Sequence, residues 1–94
     1  MKAKWQNTVI AESENTKFFD NNHYFPKESL KKEYFKANQD HTTCPWKGIA
    51  SYYDVVVEGN ANKSSAWYYP NPSEAASEIK DYVAFWKGIK VEKA

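Results

Sequence analysis

Cys44 and Lys47 stand three residues apart in Cys44-Pro45-Trp46-Lys47-Gly48. An ammonium beside a thiol can lower its pKa and ready the thiolate for attack. His23 and His41, the two histidines, are the candidate bases for such a step. The chain is also rich in rings: 4 Trp, 7 Tyr and 5 Phe make up 17% of it. Tyr24, Trp46, Tyr52, Trp67 and Tyr69 suit a cleft whose rings stack on a planar or sugar-like ligand. Phenol hydroxyls and Lys47 would fix the ligand's orientation. Packing explains the same residues in another way. A free cysteine is commonly a small packed hydrophobe, and each large ring buries about 150–250 Å², an efficient core for a short chain. Number separates the two explanations. A domain of this size cannot enclose sixteen rings, so some must stand part-exposed, either clustered as a binding surface or scattered.

The remaining composition removes several classes of function. Ninety-four residues suffice for one domain spanning residues 1–94 and one core. Lysine supplies all thirteen basic residues against 12 acidic ones, and the two signs interleave, leaving a net charge of +1. A nucleic-acid partner is not expected from so balanced a chain. Without arginine there is no rigid bidentate fork for phosphate or carboxylate. One cysteine makes neither an intrachain disulfide nor a multi-cysteine zinc site. Two histidines without fixed spacing to Asp20 or Asp40 do not define a metal site, and neither metal nor cofactor is predicted. No run approaches a membrane span and the N-terminus has no apolar export stretch, so a cytoplasmic protein without a membrane partner is expected.

The elements that must hold these groups read as short strands. Thr8-Val9-Ile10-Ala11 is β-branched and apolar; Ser13-Glu14-Asn15 reads as a turn and Thr16-Lys17-Phe18-Phe19 as its return strand. Asp20-Asn21-Asn22 is a second turn, followed by extended His23-Tyr24-Phe25, which Pro26 closes. Leu30 and Tyr34 fit one or two helical turns over 27–36, with Lys31, Lys32, Glu33 and Lys36 toward water. Residues 37–43 read as polar loop. The longest strand is predicted over 49–57, with Ile49, Tyr53, Val55 and Val57 on one face and Ala50, Tyr52, Asp54 and Val56 on the other. Such a strand is central and covered on both sides. A turn over 58–62 leads to a paired strand, Ser65-Ala66-Trp67-Tyr68-Tyr69. Asn71-Pro72-Ser73-Glu74 is a helix start capped by Asn71. Residues 82–86 and 89–91 are strands joined by a Lys87-Gly88 turn. About six strands with one or two short helices predict a mainly β, single-domain antiparallel sandwich or partly open barrel.

Four blocks in order carry a resemblance: His23-Tyr24-Phe25-Pro26; Cys44-Pro45-Trp46-Lys47-Gly48 with Ala50-Ser51-Tyr52-Tyr53; Ala66-Trp67-Tyr68-Tyr69-Pro70; and Tyr82-Val83-Ala84-Phe85. Together they resemble the bacterial domain-of-unknown-function family 427, over nearly the whole chain from Val9 to Val91. The resemblance implies a compact β fold, similar to the β-tent (Mss4-like) group of two antiparallel sheets. Some members carry a nucleotidyltransferase label. The residues do not supply what that label needs: there is no Asp-x-Asp and no glycine-rich phosphate loop, and Asp54, Glu58 and Asp81 are isolated in sequence.

The leading expectation is a pocket for a small anionic or planar ligand, built from His23, Tyr24, Cys44, Lys47, Tyr52, Trp67 and Tyr69. If the strands bearing Tyr52 and Trp67 pair, Lys47 and the rings converge near one end of a sheet. The alternatives are an enzyme that uses Cys44 or Lys47 covalently and a protein-interaction module. The sequence leaves the oligomeric state open.

Overall fold

The computed structural model describes all 94 residues. Nine strands form: β1 (Lys2–Trp5), β2 (Thr8–Glu12), β3 (Lys17–Phe19), β4 (Asn22–Tyr24), β5 (Phe35–Cys44), β6 (Gly48–Val57), β7 (Asn60–Tyr68), β8 (Val83–Phe85) and β9 (Lys90–Glu92). They make three antiparallel sheets of order β2-β1-β9, β3-β4 and β5-β6-β7-β8, and no barrel closes. The helical content is 3-10 turns only, at Lys27–Ser29, Lys32–Tyr34 and Glu74–Ile79. No helix is long and apolar enough to cross a membrane.

Turn chemistry sets the hairpins. Gln6-Asn7, Asp20-Asn21 and Glu58-Gly59 each place two consecutive residues at positive φ and close β1–β2, β3–β4 and β6–β7. Such turns match the right-handed twist of the strands they join. Lys87-Gly88 has the same backbone but sends β9 away from β8 to pair with β1.

Alternation along the four-stranded sheet buries both of its faces, as a central β6 requires. Tyr53, Val55 and Val57 of β6, Ala66 and Tyr68 of β7, and Val83 and Phe85 of β8 belong to one core. Ala3, Ile10 and Ala11 from the three-stranded sheet close that core from the other side. Ala50 and Tyr52, Trp67 and Tyr69, and Ala84 face the opposite way. There Tyr24 from the β3–β4 hairpin and Ala76 and Ile79 from the third 3-10 turn complete a second core.

Several local expectations are corrected. Residues 37–43 are not loop but part of β5, the outer strand of its sheet; their polarity is that of an exposed edge. Thr16–Phe19 does not return against residues 8–11. Lys17–Phe19 pairs with Asn22–Tyr24 across the Asp20-Asn21 turn, while β2 pairs with β1, a strand at Lys2–Trp5 too charged to stand out. Ile49 does not join Val55 and Val57 inside; at the far end of β6 it is 56% exposed. Asn60 and Asn62 lie in β7 beyond the turn, and the Asn62 side-chain amide donates to the Lys87 carbonyl at 2.8 Å. The residue at the start of the third 3-10 turn is Ser73, not Asn71. Its hydroxyl caps nothing there but donates to the Trp46 carbonyl.

Candidate functional site

The corner between β5 and β6 is where Lys47 is fixed. Gly48 has φ +118°, and a Cβ there would come within 3.3 Å of the Asn71 carbonyl oxygen. Only glycine lets the 71–73 backbone pass so close. That passing backbone then clamps the corner: Ser73 N–H donates to the Lys47 carbonyl at 2.8 Å, and the Ser73 hydroxyl donates to Trp46.

Held in this way, the Lys47 side chain runs inward and is only 7% exposed. Its Nζ lies 2.5 Å from Oδ2 of Asp20, which the β3–β4 turn carries over from 27 residues away. The ring of Trp46 lies 5.3 Å from the ammonium and that of Tyr69 5.6 Å. Burial by itself would lower the lysine pKa. The hydrogen bond to Asp20, joined at alkaline pH by the negative charge of the Tyr24 and Tyr69 phenolates, outweighs it and raises the group above its ordinary value. A lysine held protonated is a poor amine nucleophile, because Schiff-base lysines work through a lowered pKa. An ammonium carries three N–H donors, and Asp20 is its one oxygen partner.

Sheet register builds the rest. Tyr52 of β6 stands opposite Trp67 of β7, and Trp67 opposite Ala84 of β8. Trp86, two residues past Ala84, falls on the same face and meets Trp67 edge-on at 6.0 Å. Lys47, Tyr52, Trp67, Tyr69 and Trp86 line one hollow of about 150 Å³. Their polar tips are anchored: the Tyr52 hydroxyl bonds Thr42 Oγ1 at 2.8 Å, and Trp86 Nε1 donates to the Ser64 carbonyl at 2.7 Å. Behind them Tyr24 is fully enclosed, and its hydroxyl accepts from Trp67 Nε1 at 3.3 Å. Burial raises the pKa values of Tyr24 and Tyr69, so both phenols stay neutral over the physiological range.

Of the residues singled out in the sequence, Lys47, Tyr52, Trp67 and Tyr69 therefore meet. Tyr24 supports them from inside without lining the hollow. Cys44, half-buried at the end of β5 opposite Gly48, packs against the second core and does not line it either. His23 stands apart, its ring tilted at 57° against Phe18 with centroids 4.8 Å apart and with a buried, unpartnered Nδ1. His41 lies on exposed β5, its Nδ1 3.4 Å from the Ala50 carbonyl oxygen and from Ser51 Oγ, so neither imidazole is hydrogen-bonded to the thiol. Trp86 was not singled out, and Asp20 was weighed only as a metal partner of the histidines, not as the partner of Lys47. Alternation along 83–86 contained the signal for Trp86, since an inward Phe85 turns its neighbour to the other face. Nothing in the sequence pairs Asp20 with Lys47.

Two other carboxylates, those of Asp54 and Asp40, brace the main sheet. Asp54 accepts from Ser64 N–H at 2.9 Å and from the Asn38 amide at 2.7 Å. Asp40 receives the Ser64 hydroxyl, and its own N–H donates to Asn38 Oδ1 at 2.8 Å. This network spans the register shifts in β5–β6 and β6–β7 and holds Ser64 at φ 53°. Glu58 and Asp81 sit at positive-φ positions elsewhere.

Fold and site together define a small antiparallel β domain with a lysine-bearing aromatic hollow on one face of its main sheet. The chain belongs to the family described as Domain of unknown function (DUF427), which matches it over residues 1–94. A search of curated proteins finds no match.

Proposed function

We propose that this domain binds a small planar ligand in the hollow between Tyr52, Trp67, Tyr69 and Trp86, with a hydrogen-bond acceptor of the ligand on Lys47. One observation carries the reading: a buried lysine, its side chain 9% exposed and its ammonium with one oxygen partner, beside a hollow otherwise lined by rings. Buried donors favour an acceptor, and rings favour a flat face, with stacking contributing about 0.5–1.5 kcal/mol per pair beyond area burial. Asp20 offsets most of the lysine charge, so a carbonyl serves as well as a carboxylate. Drug-sized ligands fill roughly 300–1,000 Å³, so a hollow of about 150 Å³ takes one ring or the end of a longer molecule.

Thermal-shift screening against nucleobases, sugars and aromatic acids tests this, with each hit repeated on Lys47→Met. A concentration-dependent shift that the variant loses supports the proposal. Hits that the variant retains in full, or no hit in any of the three classes, refute it.

A further inference from the structure

We propose that a second hollow, on the opposite face of the sheet, takes an amphiphilic monocarboxylate, its apolar stem inside and its carboxylate between Lys27 and Lys32. Leu30, Phe35, Ala37 and Tyr53 line a slot of about 290 Å³ with Lys27 and Lys32. Leu30 belongs to the first core, and Phe35 and Tyr53 pack against it, so the slot opens directly onto that core. Tyr53 precludes overlap with the aromatic hollow, because alternation sends it away from Tyr52.

The charge arrangement selects the ligand. The first two 3-10 turns carry Lys27 and Lys32 to the slot, and both lysines are exposed. Neither forms an ion pair; the protein's one salt bridge is that of Lys47 with Asp20. Glu28 and Glu33 neighbour them in sequence but line no part of the slot. Two lysines that form no ion pair thus share the lining with an apolar wall. A polar ligand body would leave its own donors and acceptors unmatched against Leu30 and Phe35, and a cation would be repelled. An apolar stem ending in one carboxylate satisfies both ends. Aliphatic and aryl acids share this chemistry.

Isotope-labelled protein titrated with octanoate, 3-phenylpropionate, octanol and octylamine distinguishes the possibilities. Saturable shifts at the Leu30 and Ala37 methyl groups and the Tyr53 ring are expected with either carboxylate, and with octanoate, which has no ring to stack, the Trp67 indole stays still. The tighter of the two acids identifies the stem as aliphatic or aryl. Octanol should bind at least fivefold more weakly than octanoate, and octylamine more weakly again. The double variant Lys27→Gln, Lys32→Gln alters only exposed side chains; its amide spectrum should match the parent, and its octanoate affinity should fall about fivefold. Ala37→Trp, at an exposed position, should fill the slot and abolish binding. Three results would overturn the proposal: no saturable shift with either acid, octanol binding as tightly as octanoate, or undiminished affinity in the double variant. None depends on the aromatic hollow having a ligand.

Discussion

Lys47 and Asp20 form the protein's one ion pair, 2.5 Å apart, and it joins the β5–β6 corner to the β3–β4 turn. The exposure is unequal: 9% for the lysine side chain against 45% for the aspartate. Removing the aspartate therefore strands a buried cation, whereas removing the lysine leaves a carboxylate that water can reach. Asp20→Asn should cost about 1–2 kcal/mol, between the values for exposed and buried pairs, and Lys47→Met clearly less. Urea denaturation at neutral pH measures both.

Alkaline pH should weaken the fold through the same cluster. Lys47, Tyr24 and Tyr69 all have raised pKa values in the folded state, against ordinary values of 10.5 for lysine and 10.0 for tyrosine. Above the ordinary values the unfolded chain releases protons that the folded chain retains. Their contribution is thus complete below about pH 10 and is lost as pH rises through the folded values. Denaturation midpoints between pH 9 and 11.5 should fall, and the fall should be shallower in a Tyr24→Phe, Lys47→Met double variant. A double variant with the parent's slope would contradict this.

Asp54 gives the opposite dependence. Burial alone would raise its pKa, but the Ser64 N–H, the Asn38 amide and the charges of Lys63 and Lys36 hold it below the ordinary value of 3.8. Its contribution is present above that value and disappears as pH falls through the lower folded value. Asp54→Ala should cost about 1–2 kcal/mol at pH 7. The gap from the parent should narrow below pH 4, which acid titration of both proteins would reveal.

Gly48→Ala should be among the most damaging single-methyl additions. It combines an unfavourable φ with a 3.3 Å approach to the Asn71 carbonyl oxygen, at a cost of about 1–3 kcal/mol. Because Lys47 is the adjacent residue, ligand affinity should fall along with thermal stability. A variant that keeps both would show that the corner does not set the lysine's position.

Much of this site was legible from alternation and turn residues. Pairing of the strands that carry Tyr52 and Trp67 was legible, whereas the register that sets the two rings on one face came with the structure. Asp20-Asn21 and Glu58-Gly59 announced their turns. What stayed hidden depended on contacts between distant segments. Residues 37–43 looked like loop because an edge strand needs no apolar face and because the register of this one shifts between Ala37 and His41. Thr16–Phe19 looked like the partner of residues 8–11 because adjacency in sequence suggests a hairpin; the preference of Asp20-Asn21 for positive φ drew it to His23 and Tyr24 instead. Asp20 itself carried a turn signal and was weighed only as a metal partner of the histidines. Its pairing with Lys47 exists because one hairpin docks on the corner of another sheet.

The ligand role of the hollow is tested most directly by the indole N–H signals of the four tryptophans during titration with benzoate, nicotinate and uracil. Trp67 and Trp86 line the hollow, whereas Trp5 packs against the opposite core. Saturable shifts of Trp67 and Trp86 are predicted with at least one of these probes, Trp5 remaining still and the response disappearing in Lys47→Met. Uniform drift of all four signals, or no movement with any probe, would contradict a binding site at Lys47.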